Sequence, residues 1–334
     1  MTKKQQHSLT MLQPTLHKTD RLHKTAGTPN ISPITSKDKE LLMQTLQKAR
    51  SESMNYEDSW GYVIQAARYN GFKWYDEETN SLIFFGKKTR TDKSLVVPTF
   101  IAEPQYLCDV VGVVQKALKS PRIILKNVTV EDVDKYKSCH FREYKEHENW
   151  NDFAKYDDQT FPQSIVDLKK VVELQGKGYH HLRKTLRKDP EAVFRKYRES
   201  DLESVLEVFA IRDGKTLKSP GLDKGMYYAS HVMYPYADME KYVIIDKKTE
   251  KVLGFTATSA ITSKTAAFVT LLFLPEVKVG SVWGIHQTLI ATYKLGYETI
   301  NFGGSESLGT DVFVKRNFQP VAQIKKTHLI YDPK

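Results

Sequence analysis

The chain has 334 residues, 40% of them hydrophobic and 11% aromatic, a globular composition with room for two domains. No apolar run approaches the roughly 20 residues needed to cross a bilayer, and the polar N-terminus lacks the apolar stretch of a signal peptide, so a cytoplasmic protein without a membrane span is expected. A net charge of +10 points to phosphate-bearing partners (nucleic acid, anionic lipid or a nucleotide cofactor) or to a solvated lysine-rich surface.

Residues 1–36 read as a disordered basic tail, rich in Ser, Thr, Gln and Lys and broken by Pro14, Pro29 and Pro33. Order is expected from Lys37, where Leu41, Leu42, Leu46 and Ala49 have helical spacing. A second helix is expected over 56–69, stopped by Asn70-Gly71. A hairpin follows, in which Phe72 to Tyr75 and Leu82 to Phe85 flank the turn Asp76-Glu77-Glu78-Thr79-Asn80. Then come an apolar strand (96–102), a helix (106–118) and another strand (122–126). Residues 130–160 form a polar bridge without a clear period, with a helix around 131–137. Cys108 and Cys139 are too few for a disulfide scaffold and are expected as reduced thiols. Cys139-His140 and His147 have no second cysteine pair to complete a zinc site, so no metal is expected.

A helix is expected over 164–174, ending at Gly176-Lys177-Gly178. Next, 179–188 reads as a basic helix anchored by Leu182 and Leu186. It presents His180, Arg183, Lys184, Arg187 and Lys188 near Lys177, either to a polyanion or simply to solvent. Ser200-Asp201 opens a helix with Leu202, Val205, Leu206 and Phe209 on one face. The long segment 212–240 crowds Tyr227, Tyr228, His231, Tyr234 and Tyr236 together, as a pocket wall or as packing over a sheet.

About 170 positions after the first hairpin the phrase returns. Tyr242 to Ile245 and Val252 to Phe255 flank Asp246-Lys247-Lys248-Thr249-Glu250, followed by a strand (268–274), a helix (282–295) and a strand (299–302). This order of elements implies two copies of one fold. Only the second copy carries residues suited to binding an anion. Lys278-Val279-Gly280-Ser281 sets a cation, a glycine and a capping serine at a helix start, where backbone amides lack intrahelical partners and the helix dipole is positive. Asn301-Phe302-Gly303-Gly304-Ser305 ends the next strand with two glycines that permit close approach of backbone or ligand. In the first copy the equivalent loop is Ala102-Glu103-Pro104-Gln105, with an acid and a proline where amides are wanted, so this half is expected to be degenerate, either structural or one wall of the cleft.

That order resembles the GNAT acyltransferase fold, whose donor pyrophosphate sits on the loop after the central strand. The family loop is usually Gln/Arg-x-x-Gly-x-Gly/Ala; here a cation and one glycine of it remain. Residues 56–334 are similar to tandem-GNAT proteins such as the C-terminal domain of phosphatidylglycerol lysyltransferases, related to the Fem aminoacyltransferases. The likeness is carried by Leu174-Gln175-Gly176-Lys177-Gly178-Tyr179-His180-His181-Leu182-Arg183-Lys184, by Asn301 to Glu306, and by Gly309 with Lys315-Arg316-Asn317-Phe318-Gln319-Pro320. The resemblance implies an α+β fold of two tandem GNAT-like domains, mixed sheets flanked by helices, with boundaries at 1–36 (tail), 37–162, 163–194 (basic linker helices) and 195–334 (active half).

It further implies transfer of an acyl or aminoacyl group to an amine or hydroxyl. No tightly bound cofactor is expected; acyl-CoA or aminoacyl-tRNA would be the co-substrate. Orientation and oxyanion stabilisation would do most of the work, with Glu306, then His231 and Asp311, as candidates to accept the acceptor's proton. The last helix carries Phe313 where many GNAT enzymes place a tyrosine acid. A nucleic acid acceptor, tRNA or DNA with an amino-modified base, and a non-catalytic GNAT-like binding protein are the alternatives.

Overall fold

The computed structural model describes residues 31–67, 71–87, 94–143, 161–188, 190–216, 239–274, 277–304 and 308–332. In chain order they form β1 (Ile31–Pro33), α1 (Asp38–Arg50), a 3-10 turn (Tyr56–Asp58), α2 (Trp60–Ala67), β2 (Phe72–Asp76), β3 (Ser81–Lys87), β4 (Leu95–Ile101), α3 (Pro104–Leu118), β5 (Ile123–Thr129), α4 (Val133–Lys137) and β6 (Phe141–Glu143). There follow β7 (Gln163–Asp167), α5 (Leu168–Val172), α6 (His180–Leu186), β8 (Ala192–Lys196), α7 (Leu202–Thr216), β9 (Glu240–Asp246) and β10 (Val252–Ala260). The chain ends with β11 (Thr265–Phe273), α8 (Lys278–Lys294), β12 (Thr299–Asn301), α9 (Leu308–Phe318), β13 (Ala322–Ile324) and β14 (Lys326–Tyr331).

Two seven-stranded sheets result, ordered β1-β2-β3-β4-β5-β14-β6 and β13-β7-β12-β11-β10-β9-β8. The repeat read from the sequence extends to atomic detail. In the first hairpin Asp76 Oδ1 accepts from the Glu78 amide at 3.0 Å, and Asn80 takes φ 50°. In the second, Asp246 Oδ1 accepts from the Lys248 and Thr249 amides at 2.9 and 2.7 Å, and Glu250 takes φ 56°. An aspartate that caps its own turn and a left-handed fifth residue specify both hairpins alike.

The repeats trade their last strands. β6 and β13 hold matching edge places, and the strand that follows each enters the other sheet: β7 lies between β12 and β13, while β14 lies between β5 and β6. Accordingly the described residues divide into one unit of 31–49, 62–143 and 327–332 and a second of 50–61 and 161–326. The division differs from the linear boundaries at 37–162, 163–194 and 195–334: the supposed linker supplies β7, α5, α6 and β8 to the second unit. The supposed tail also differs, since residues 31–33 pair with β2 as a strand.

Each parallel pair is short. β4 meets β5 only over Leu95 to Val97, and β11 meets β12 only over Thr265 to Ala267, although β11 runs on to Phe273. Near the divergence both central strands carry a bulge. Opposite β3, Phe84 and Gly86 face Thr99 and Val96, which puts the extra residue at Val97–Pro98. Opposite β10, Ala257 and Thr258 face Thr270 and Phe268, which leaves Val269 without a partner of its own.

Three local expectations are corrected. Residues 163–167 are strand, not helix: Ile165 and Val166 are fully buried, as a strand covered on both faces requires, and helix begins only where Asp167 Oδ1 caps the Lys170 amide at 3.0 Å. The expected helix over 56–69 is a 3-10 turn followed by α2. Cys108 and Cys139, expected as thiols, pair as a disulfide with Cα atoms 5.7 Å apart, because α3 and the turn after α4 bring both into the apolar core of the first unit.

Candidate active site

The second unit gathers the predicted strand-end residues at the divergence of β11 from β12. β12 does not follow β11; Phe302 and Gly303 stay with β7, the Phe302 amide donating to the Ser164 carbonyl at 3.0 Å and the Ser164 amide to the Gly303 carbonyl at 3.2 Å. Gly303 sits at φ 72°, a left-handed conformation that favours glycine, and a Cβ there would stand 3.4 Å from the Tyr56 ring. Asn301 fixes the turn: its Oδ1 accepts from the Gly303 amide at 2.7 Å, and its Nδ2 donates to the Met54 carbonyl at 2.7 Å and to Gln163 Oε1 at 2.9 Å. Gly304 continues the turn, partly buried.

Behind Asn301 the network ends in a buried charge pair. Gln163 Nε2 donates to Glu57 Oε1 at 2.6 Å, and Lys326 Nζ lies 3.3 Å from Glu57 Oε2 and 2.9 Å from Asn55 Oδ1. The Lys326 and Glu57 side chains are 4% and 7% exposed. A buried pair stabilises only when its remaining hydrogen-bonding capacity is met; here Gln163 and Asn55 contribute to meeting it.

Residues 50–61, far away in sequence, line this place. The Tyr56 hydroxyl donates to the carbonyl of the bulged Val269 at 3.4 Å, the Gly61 amide donates to Ser259 Oγ at 3.1 Å, and a Cβ on Gly61 would lie 2.7 Å from the Val269 side chain. The only available hint was an uneven 56–69 stretch, whose polar Glu57, Asp58 and Ser59 are unsuited to a buried helical face.

The donor-loop expectation changes in detail. α8 begins at Lys278, with Val277 as N-cap and no side-chain cap, so Ser281 lies inside the first turn and its amide already bonds the Val277 carbonyl at 3.3 Å. The amides without an i−4 helical partner are therefore those of Lys278, Val279 and Gly280. The side chains of Lys278 and Val279 lie outside the described atoms. A Cβ on Gly280 would stand 2.6 Å from Val277 Cγ1, so local packing also asks for a glycine here.

Among the catalytic candidates, Glu306 and His231 lie outside the described residues, as do Ser305, Tyr227 and Tyr228. Asp311 is 5% exposed in the first turn of α9 and pairs with Lys315 Nζ at 2.8 Å. A titratable residue the sequence reading passed over is His286. Buried on α8, it sets Nε2 3.2 Å from the Val171 carbonyl, and burial pushes its proton affinity below the usual histidine value despite that contact. Its place beside Ile285 in the apolar stripe was the available signal.

The basic helix is α6. Arg183 does not face outward to an anion: Nη1 donates to the carbonyls of Leu174 at 2.6 Å and Gly176 at 2.9 Å, closing a turn in which both residues have positive φ. Lys177, His180, Lys184, Arg187 and Lys188 are exposed. Burial first, then the nearby Arg316, Lys184, His180 and Lys188 charges, lowers the proton affinity of His181, so cations of α6 and α9 share one surface. Among the described residues no group of three or more His, Cys, Asp or Glu could hold a metal ion, and no helix is long and apolar enough to cross a membrane.

No family model and no curated protein matches the sequence. Solved structures do. A conserved protein of unknown function from Bacteroides thetaiotaomicron VPI-5482 superposes with a TM-score of 0.66 at 13% identity, over 90% of this chain and 99% of that one. FemX gives 0.61 at 11%, over 91% and 97%. L-PGS from Bacillus licheniformis gives 0.57 at 16%, over 87% and 91%. The fold is a tandem GNAT fold. In these GNAT terms the bulged, diverging strand is β11, the loop beyond it leads into α8, and the Gly303 turn ends the neighbouring strand.

Proposed function

We propose that the chain is a GNAT-type acyltransferase, moving an acyl or aminoacyl group from a phosphate-bearing donor, acyl-CoA or aminoacyl-tRNA, to an amine or hydroxyl, with the chemistry in the second unit. The observation that carries this reading is the divergence of β11 from β12 at the Val269 bulge. It sets the diverging strand near an uncapped helix start at residues 278–280 and a Gly303 turn held by Asn301. Backbone donors fixed before the substrate arrives are what orientation and oxyanion stabilisation need. The likeness to FemX and L-PGS is consistent with this chemistry.

The test is thermal unfolding of the purified protein with acetyl-CoA, coenzyme A, charged tRNA and uncharged tRNA. A ligand of the native state at a hundredfold excess over its dissociation constant adds about 2.7 kcal/mol. Stabilisation by a coenzyme A species selects an acyl-CoA donor, and stabilisation by charged tRNA alone an aminoacyl donor. Gly280→Asp should remove the effect, and unchanged stabilisation would sink the assignment of the donor loop. No shift with any of the four would sink the reading in favour of a binding module. The shared cationic surface of α6 and α9 supports tRNA or DNA as the second partner, and binding there should weaken steeply with salt.

A further inference from the structure

Helix α9 has two contrasting sides. Asp311, Val314, Asn317 and Phe318 are buried, as their helical spacing on one side requires. On the other side Leu308, 63% exposed, stands one turn before Val312, 48% exposed, and the exposed Arg316 follows one turn later. Lys315, with its side chain 45% exposed, flanks the same stripe. A single exposed apolar residue is ordinary on a protein surface. A leucine and a valine stacked along one helix and continued by cations make an amphipathic face.

Helix α6 widens that face. Its Leu182 is fully buried and Leu186 partly so, while His180, Lys184, Arg187 and Lys188 are exposed. The two helices are joined where the Tyr179 hydroxyl, just before α6, donates to the Phe318 carbonyl at the end of α9 at 3.4 Å. Arg316 of α9 and Lys184, His180 and Lys188 of α6 all act on His181, which places them on one surface. No acidic residue interrupts 177–188, and over 308–319 the sole acid is Asp311, buried and paired with Lys315 at 2.8 Å.

Phosphates of any kind suit these cations, but a nucleic acid backbone leaves Leu308 and Val312 in water. An anionic lipid leaflet satisfies both parts of the face, with phosphates at headgroup level and hydrocarbon directly beneath them. We propose that the α6–α9 face docks the protein on an anionic membrane surface. Leu308 and Val312 enter the boundary between headgroups and acyl chains, and the cations meet lipid phosphates. Such docking is peripheral and needs no helix that crosses the bilayer.

Flotation of the purified full chain with vesicles tests this. One set is phosphatidylcholine alone, and the other contains about one-third phosphatidylserine. Wild type should float with the anionic vesicles and not with the neutral ones. Leu308→Asp with Val312→Asp should weaken that binding at least about tenfold, with thermal unfolding and affinity for total tRNA unchanged. If the double variant does not fold, Leu308→Asp alone, at a helix start that favours an acid, carries the same comparison. Lys184→Glu with Arg316→Glu should weaken binding to vesicles and tRNA alike. Wild type that does not float, or a double variant that floats as well as wild type, overturns the proposal. Equal losses on vesicles and tRNA in the double variant also overturn it, and make nucleic acid the occupant of the face. Flotation needs no turnover, so failure of the acyltransferase reading leaves its outcome standing.

Discussion

In the first unit the diverging strand β4 carries Pro98 at its bulge, and the helix after it begins on Pro104 behind Glu103; in the second the same places hold Val269 and residues 277–280. Proline offers no amide and glutamate repels an anion, so the first bulge and helix start present fewer donors to an anion than the second. The first unit is instead closed by packing, with a core running from Ile31 through Val97 and Leu107 to Leu329 and a disulfide within it. The second keeps polar groups inside: Asn301, Gln163, Glu57 and Lys326 are all buried. One topology therefore serves as scaffold in one copy and as the candidate site in the other, and the difference lies in a few residues at equivalent positions.

Four perturbations break or sharpen that contrast. Lys326→Met strands a buried carboxylate and should cost about 3–5 kcal/mol in urea unfolding. Adding Glu57→Gln should return most of it, whereas Lys73→Met in the first unit should cost less, because Lys73 is 13% exposed and Asp38 is also bonded by the Thr35 amide at 2.6 Å. Reducing Cys108–Cys139, which spans 31 residues, should lower stability by about 3 kcal/mol through the first unit alone. Hydrogen exchange should show protection lost in β2 to β5 and kept in β9 to β11. Gly303→Ala should cost about 1–2 kcal/mol for its left-handed backbone and reduce transfer more than donor binding, since it disturbs the turn and leaves α8 intact.

The smallest effect is on pH dependence. His286 binds its proton less readily folded than unfolded, so its contribution is fully present above the ordinary histidine value of about 6.5. It is lost as pH falls toward the lower folded value, at up to about 1.4 kcal/mol per pH unit. His181, shifted the same way, adds to the slope. His286→Gln should flatten the acid side of the stability profile without abolishing the dependence, and a slope identical to wild type would refute the assignment.

The doubled phrase was legible because it is written in local chemistry: Asp76 and Asp246 cap their own turns, and strands such as Leu82 to Phe85 are apolar without interruption. The strand end at Asn301-Gly303 was legible for the same reason. What could not be read was anything decided by pairing. Val269 is an ordinary valine until register leaves it opposite nothing, and Tyr56 is an ordinary tyrosine until the fold sets it beside residue 303, some 250 positions later. Gln163 looked like the approach to a helix because its strand partners, β12 and β13, lie more than a hundred residues downstream.

The trading of last strands has a consequence for how the protein is made. β14 sits between β5 and β6, and Arg142 Nε reaches Asp332 across 190 positions at 3.1 Å. Until residues 326–331 are made, the first sheet lacks its sixth strand and β6 has nothing between it and β5 to pair with. Removing β14 would therefore damage a sheet whose other strands all lie within residues 31–143.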